Sequence, residues 1–253
     1  MTVTDVNVVK SAIFERPDDA NKGTLGSLLC VCGSYGMAGA AVMSAKGALR
    51  TGIGLAKCAL PRSIYPIVAQ TILESVYYPL SENADGRISK VNVPFLVSES
   101  CKSSATLVGC GLGVCDDTLK IVFSLIENST TPLVLDADAL NCVAKQPEIL
   151  LRKKAPIIIT PHPGEMSRLT GLATPLVNAE RERVALDFAQ KYGVVTVLKG
   201  AGTVIASPNG KVLVNPTGNS GMATGGSGDV LAGMTASILA QGASAFSSAA
   251  AAV

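Results

Sequence analysis

Short apolar runs closed by glycine or proline alternate with longer stretches whose apolar residues recur at helical spacing, the pattern of strands feeding helices. Leu28-Leu29-Cys30-Val31-Cys32 is the first run. Gly33-Ser34-Tyr35-Gly36 closes it, and the alanine-dense segment 38–51 reads as helix. A strand follows at 55–59 and a polar surface loop at 81–90. Ala105-Thr106-Leu107-Val108 then runs into Gly109-Cys110-Gly111-Leu112-Gly113, and 118–128 is a helix with Leu119, Val122, Phe123 and Ile126 on one face. The next strands are 132–135, ending in Asp136-Ala137-Asp138, and 156–160, ending in Pro161-His162-Pro163-Gly164-Glu165. Segment 180–192 is an amphipathic helix on Val184, Phe188 and Tyr192, with Arg181, Glu182, Arg183 and Lys191 assigned to a solvated face.

Val194-Val195-Thr196-Val197-Leu198 leads into Lys199-Gly200-Ala201-Gly202-Thr203, and two further strands flank Pro208-Asn209-Gly210, where Asn-Gly signals a hairpin. Strands alternating with helices predict one α/β domain over 1–253: a mostly parallel sheet between helix layers, with an antiparallel hairpin at one edge. Residues 1–25 form an N-terminal extension before the first strand, without the apolar core of a signal peptide.

The sharpest chemical signal lies between Asn215 and Asp229, a glycine-rich polar loop running straight into a helix on Val230, Leu231, Met234 and Ile238. A helix start leaves N–H groups without intrahelical partners and adds the positive end of the dipole, so it suits an anion. Asp229 stands inside that field. It either caps the helix behind a glycine-rich turn or accepts a proton from a hydroxyl about to attack phosphorus. Similar pairs of readings stay open elsewhere. Asp138 is a ligand at a strand's carboxyl end or a helix-capping acid. Glu165 is a site acid or a first-turn acid. Lys199 and its loop hold a diphosphate or make a tight surface connection.

Composition narrows the partners. With 16% charged residues, a net charge of +2, five Phe, five Tyr and no Trp, the chain shows no footprint for nucleic acid, so small metabolites are the expected ligands. The seven cysteines include no CxxC pair and read as buried thiols of a reducing cytoplasm. Segment 230–253 carries no charge, but Gln241-Gly242 and Ser244, Ser247 and Ser248 interrupt it, which favours buried helices over a membrane span.

Taken together, Gly33 to Ala40, Leu135 to Asn141, Thr160 to Met166, Lys199 to Thr203 and Asn215 to Asp229 resemble the ribokinase-like superfamily. Within it they resemble the ADP-dependent NAD(P)H-hydrate dehydratase family of bacteria. The resemblance implies ADP-dependent repair of (S)-NADHX and (S)-NADPHX, the hydrates of NADH and NADPH: the ring hydroxyl is phosphorylated, phosphate is eliminated and AMP is released. It implies Asp229 as the base, and Gly225, Gly226, Ser227 and Gly228 as the anion hole. Lys199, Gly200, Ala201, Gly202, Thr203 and Gly228 would hold the nucleotide, and Ala40, Gly113, His162 and Asp229 the damaged cofactor. It further implies Mg²⁺ near Glu165, directly or through water, a homotetramer, and a separate NAD(P)HX epimerase as partner. Two departures are visible. Ser220 replaces a proline common in relatives, and relatives continue into more helix beyond Val253, so either the sequence is truncated or its last core helix is incomplete. A small-molecule alcohol kinase of the same superfamily, acting on a hydroxymethylpyrimidine or hydroxyethylthiazole, is the competing reading.

Overall fold

The computed structural model describes residues 6–13 and 15–253. Part of the N-terminal extension, including Asp5, therefore lies outside the described residues. Helix α1 (Val6–Ala12) precedes strand β1 (Ser27–Val31), helix α2 (Ala38–Arg50) and strand β2 (Leu55–Pro61). Helix α3 (Tyr65–Thr71), strand β3 (Val76–Leu80), helix α4 (Val93–Cys101) and strand β4 (Ala105–Val108) follow. Next come helix α5 (Asp116–Asn128), strand β5 (Leu133–Leu135), helix α6 (Asp138–Val143) and strand β6 (Ile157–Ile159). Helices α7 (Pro163–Thr170), α8 (Thr174–Ala179) and α9 (Arg181–Tyr192) lead to strand β7 (Val195–Leu198). Strands β8 (Thr203–Ala206) and β9 (Val212–Asn215) precede helices α10 (Ser227–Ala240) and α11 (Ala245–Ala252).

The strands form one nine-stranded sheet in the order β3-β2-β1-β4-β5-β6-β7-β8-β9. All neighbours from β3 to β7 are parallel, and β8 and β9 add antiparallel at one edge, as the strand–helix alternation and the Asn-Gly turn predict. Successive strand residues point to opposite faces, so each strand feeds two cores. Leu29, Val31, Leu133, Leu135, Ile157 and Ile159 pack beneath α4 to α9. Leu28, Cys30, Leu107, Val134 and Ile158 pack with the small residues of α2, α10 and α11.

Periodicity marked only part of the buried face of α10: Ile238 is buried, with Leu231 and Met234 packed beside it. Val230 is 36% exposed, and Leu231 and Met234 are only partly buried, whereas Ala232, Gly233 and Ala236 are buried. The cause is close contact with α2. A Cβ on Gly233 would stand 2.0 Å from the Ser44 carbonyl oxygen, and one on Gly47 2.8 Å from that of Val230. Two backbones approach that closely only where side chains are smallest. The packing places the first turn of α10 above the carboxyl ends of β4 and β5, where parallel sheets keep their ligands.

Five of the seven cysteines are buried, Cys101 and Cys115 are partly buried, and all are free thiols. Among the described residues no helix is long and apolar enough to cross a membrane.

Candidate active site

The site begins with a helix that lacks a side-chain cap. Gly226, at φ 94°, precedes α10 without capping it, and a Cβ there would fall 2.1 Å from the Met43 sulfur. Ser227 turns its hydroxyl back to the Met222 and Thr224 carbonyls. The first backbone bond into the helix is Val230 N–H to Gly226 O, and among the described residues the N–H groups of Gly228 and Asp229 find no protein acceptor. N–H groups free in this way are what an anion seat needs, and Gly225 beside them is exposed.

Asp229 stands in the first turn, half-buried. Burial, then the negative charge of Asp136, push its pKa up to about 6, with Asp138 adding to the rise and Cys110 and Lys199 opposing it. A carboxylate poised there can hold or release a proton near neutral pH. The Asp136 and Asp229 oxygens and the Cys110 sulfur lie within 4.8 Å of one another. A hydrogen bond with Cys32, together with burial, holds the Cys110 thiol well above its ordinary pKa, so it is a neutral neighbour.

Across from α10, three strand ends deliver one ion cluster. Asp136, after β5, is 2% exposed, and its Oδ1 accepts from the Thr160 hydroxyl and the Lys199 ammonium, each at 2.7 Å. Lys199 Nζ also lies 3.7 Å from Glu165 Oε2, and a Cβ on Gly228 would be 3.5 Å from it. Burial works against the charge on Lys199, but Asp136 and Glu165 outweigh it and keep the pKa above the usual value. For Glu165 burial wins, raising its pKa despite Lys199 and the His162 N–H. Ala137, at φ 48° and ψ −114°, separates Asp136 from Asp138 in a strained conformation; it is the one non-glycine positive φ among the described residues.

Asp138 and Glu165 each make a defined set of local contacts. Asp138 leaves α6 without a side-chain cap; its Oδ2 accepts instead from the Gly113 N–H at 2.8 Å, while Asn141 donates to its Oδ1 at 3.2 Å. It anchors the glycine loop. Glu165 is a first-turn acid and more. Its Oε2 accepts the His162 N–H at 2.7 Å, and His162 Nδ1 accepts the N–H groups of Gly164 and Glu165 at 3.0 and 3.3 Å, a reciprocal cap on α7. Nδ1 as acceptor leaves the ring proton on Nε2, 3.3 Å from Glu165 Oε1.

The remaining candidates lie along the same rim. Ala40 is 4% exposed against Gly111, and the Arg87 side chain covers Gly113, where a Cβ would meet its Nε at 2.5 Å. Gly200 (φ 153°) and Gly202 (φ 70°) shape the loop before β8, which closes on itself through Thr203 and Gly200. Ala201 and Gly202 line a cavity of about 570 Å³.

Two features escaped sequence reasoning. Asp136 is legible as a carboxylate at a strand's carboxyl end, but its pairing is not, because nothing local marks Lys199, 63 residues away. Arg181 was assigned to solvent with its helix neighbours, but it is half-buried under the Lys199–Gly202 loop and donates to the Leu198 carbonyl at 2.7 Å. The missed signal is its position at the start of α9, one turn ahead of the buried Val184.

A mostly parallel sheet between helix layers, with an uncapped glycine-rich helix start above its strand ends, is a ribokinase-like fold. The particular relationship is closer. The NAD(P)H-hydrate dehydratase family matches residues 28–253, and the chain belongs to that family. The chain is 39% identical over 233 residues to the bifunctional NAD(P)H-hydrate repair enzyme Nnr of Moorella thermoacetica, covering 92% of this chain and 44% of that protein. It thus spans under half the length of that bifunctional relative. Against the ADP-dependent (S)-NAD(P)H-hydrate dehydratase of Neisseria meningitidis it is 36% identical, covering 92% of this chain and 76% of the relative. The crystal structure of the ADP/ATP-dependent NAD(P)H-hydrate dehydratase of Bacillus subtilis, co-crystallised with ATP and Mg²⁺, superposes with a TM-score of 0.84 at 30% identity. That superposition covers 99% of this chain and 85% of the other.

Proposed function

We propose that this protein dehydrates the S epimers of hydrated NADH and NADPH at the expense of ADP, releasing AMP and phosphate. The observation that carries the reading is Asp229, a half-buried carboxylate with its pKa raised to about 6, set beside free N–H groups at the start of α10. Family membership supplies the substrate class.

A ring hydroxyl is a poor leaving group, and phosphorylation makes it a good one. In this reading Asp229 takes the hydroxyl proton as the oxygen attacks the terminal phosphorus of ADP. The N–H groups of Gly225, Gly226 and Gly228, with Lys199 opposite, steady the charge on the passing phosphoryl group, while that of Ser227 is turned to the Thr224 carbonyl. The O–P bond to AMP breaks. Elimination follows: the ring nitrogen lone pair expels phosphate, and loss of a proton from the neighbouring ring carbon restores the double bond. The loop from Lys199 to Thr203 holds the nucleotide, and Ala40, Gly113 and His162 line the seat of the damaged cofactor.

The carboxylates of Asp136 and Glu165 are hard oxygen donors of the kind Mg²⁺ takes, and both face the point where the Lys199 ammonium sits. Because Lys199 occupies that point, Glu165 would hold the ion through water. Bound there, Mg²⁺ would neutralise phosphate charge. Further parts of the proposal are a homotetramer, a reducing cytoplasmic setting in keeping with seven free thiols, and a separate epimerase that supplies the S form.

The test is direct. Hydrated NADH is incubated with the protein, ADP and Mg²⁺, and the absorbance of the reduced nicotinamide is followed. Its return, with AMP and phosphate formed in equal amounts, is the expected result. A stable phosphorylated alcohol from a hydroxymethylpyrimidine or hydroxyethylthiazole, without that return, would replace this reading with the kinase.

A further inference from the structure

Arg181 is placed against several electrostatic preferences at once. It is the first residue of α9, where the positive end of the helix dipole disfavours a cation. Burial lowers its pKa. Nearby Glu180 pairs with Arg183 instead, and among the described residues Arg181 has no carboxylate partner. Its Nε is buried with no hydrogen-bond acceptor. A solvated arginine on an amphipathic helix would show none of these features.

Its contacts account for the placement. Nη2 donates to the Leu198 carbonyl at 2.7 Å and reaches to 3.5 Å of the Gly202 carbonyl, so one guanidinium spans the stem and the far side of the Lys199–Gly202 loop. Between those carbonyls Gly200 lies flat against it, and a Cβ there would be 2.9 Å from both Nη1 and Nη2. Gly200 also has φ 153°, so residue type and backbone conformation agree with the packed guanidinium. Both bonds come from Nη2, at the far end of a side chain longer than lysine's, so an ammonium in its place would fall short of the two carbonyls. The cavity of about 570 Å³ beside the loop is lined by Arg181, Ala201, Gly202, Val204 and Val214, and lies within the size range of small-molecule sites.

We infer that Arg181 is the positioning residue of the nucleotide loop: by bracing Leu198 and Gly202 it holds the Lys199–Thr203 backbone in the shape that receives ADP. The inference rests on the proposed reading of that loop as the ADP seat. Arg181 touches neither the reacting phosphorus nor the hydroxyl, so its removal weakens nucleotide binding and leaves the chemical step intact.

The test is Arg181→Met, which keeps an apolar stem and removes the fork, with Arg181→Lys as the charge-retaining comparison. ADP affinity is measured by titration calorimetry alongside steady-state kinetics on hydrated NADH. The Met variant is expected to lose about tenfold to a hundredfold in ADP affinity and in KM for ADP, the range for hydrogen bonds from a charged donor. Its KM for the hydrate and its kcat should stay within about threefold of the parent, a split that marks uniform binding loss. The Lys variant should fall between the two. Equal ADP affinity in parent and Met variant overturns the inference, as does a fall in kcat with KM for ADP unchanged. Should the Met variant not fold, a Lys variant that binds ADP as tightly as the parent overturns it as well. Parent protein that does not bind ADP overturns the nucleotide reading itself, and this inference with it.

Discussion

Two regions face each other across the site, and they are built on opposite principles. The corner of Asp136, Thr160, Glu165 and Lys199 is closed: every charge has a partner, Asp136 and Glu165 are 2% and 4% exposed, and hydrogen bonds of 2.7 Å tie strand ends together. The first turn of α10 is open, with glycines, an exposed approach, N–H groups without protein acceptors and a half-buried carboxylate. The closed corner is a fixed electrostatic background, and the open turn is shaped for something that arrives. In the proposed reading proton transfer belongs to the open side, while the closed corner contributes stability and lends Lys199 to the nucleotide.

Breaking each side should separate those roles. Asp229→Asn is expected to cut turnover by about 10²–10⁴-fold while ADP still binds, as measured by single-turnover kinetics and calorimetry. Retained turnover would remove Asp229 as the base. Asp136→Ala strands Lys199 without its closest partner and should cost about 3–5 kcal/mol of folding stability, read by urea denaturation. A loss no larger than that of a surface substitution would show that the corner is not the stabilising half.

The pH profile sharpens the contrast. Turnover should fall as pH drops through about 6, where Asp229 takes up its proton, and Lys199→Met should move that midpoint upward because Lys199 holds the Asp229 pKa down. Stability runs the other way at Asp229. Its folded pKa lies above the unfolded value, so protonation favours the folded state, and that contribution is lost as pH rises through about 6. Asp229→Asn should therefore stabilise the protein at pH 8, by roughly 1 kcal/mol after allowance for solvent screening. The smallest effect belongs outside both regions. Arg183→Ala removes exposed pairs with Glu180 and Asp187, and should change stability by less than about 0.5 kcal/mol, read by thermal melting.

What the chain determines by itself is local. Apolar runs ended by glycine became β1, β4 and β7, Asn209-Gly210 became the turn of the edge hairpin, and the glycine string before Asp229 became an uncapped helix start. These are consequences of side-chain period and backbone freedom within a few residues, so they can be read along the sequence. Tertiary structure alone decided which face of α10 is buried, because Gly233 against Ser44 depends on how closely another helix approaches. It alone brought Lys199 to Asp136 across 63 residues, and it turned Arg181 from a solvated charge into a brace beneath a loop. Charge pairing acts through space, and strand order sets which charges meet.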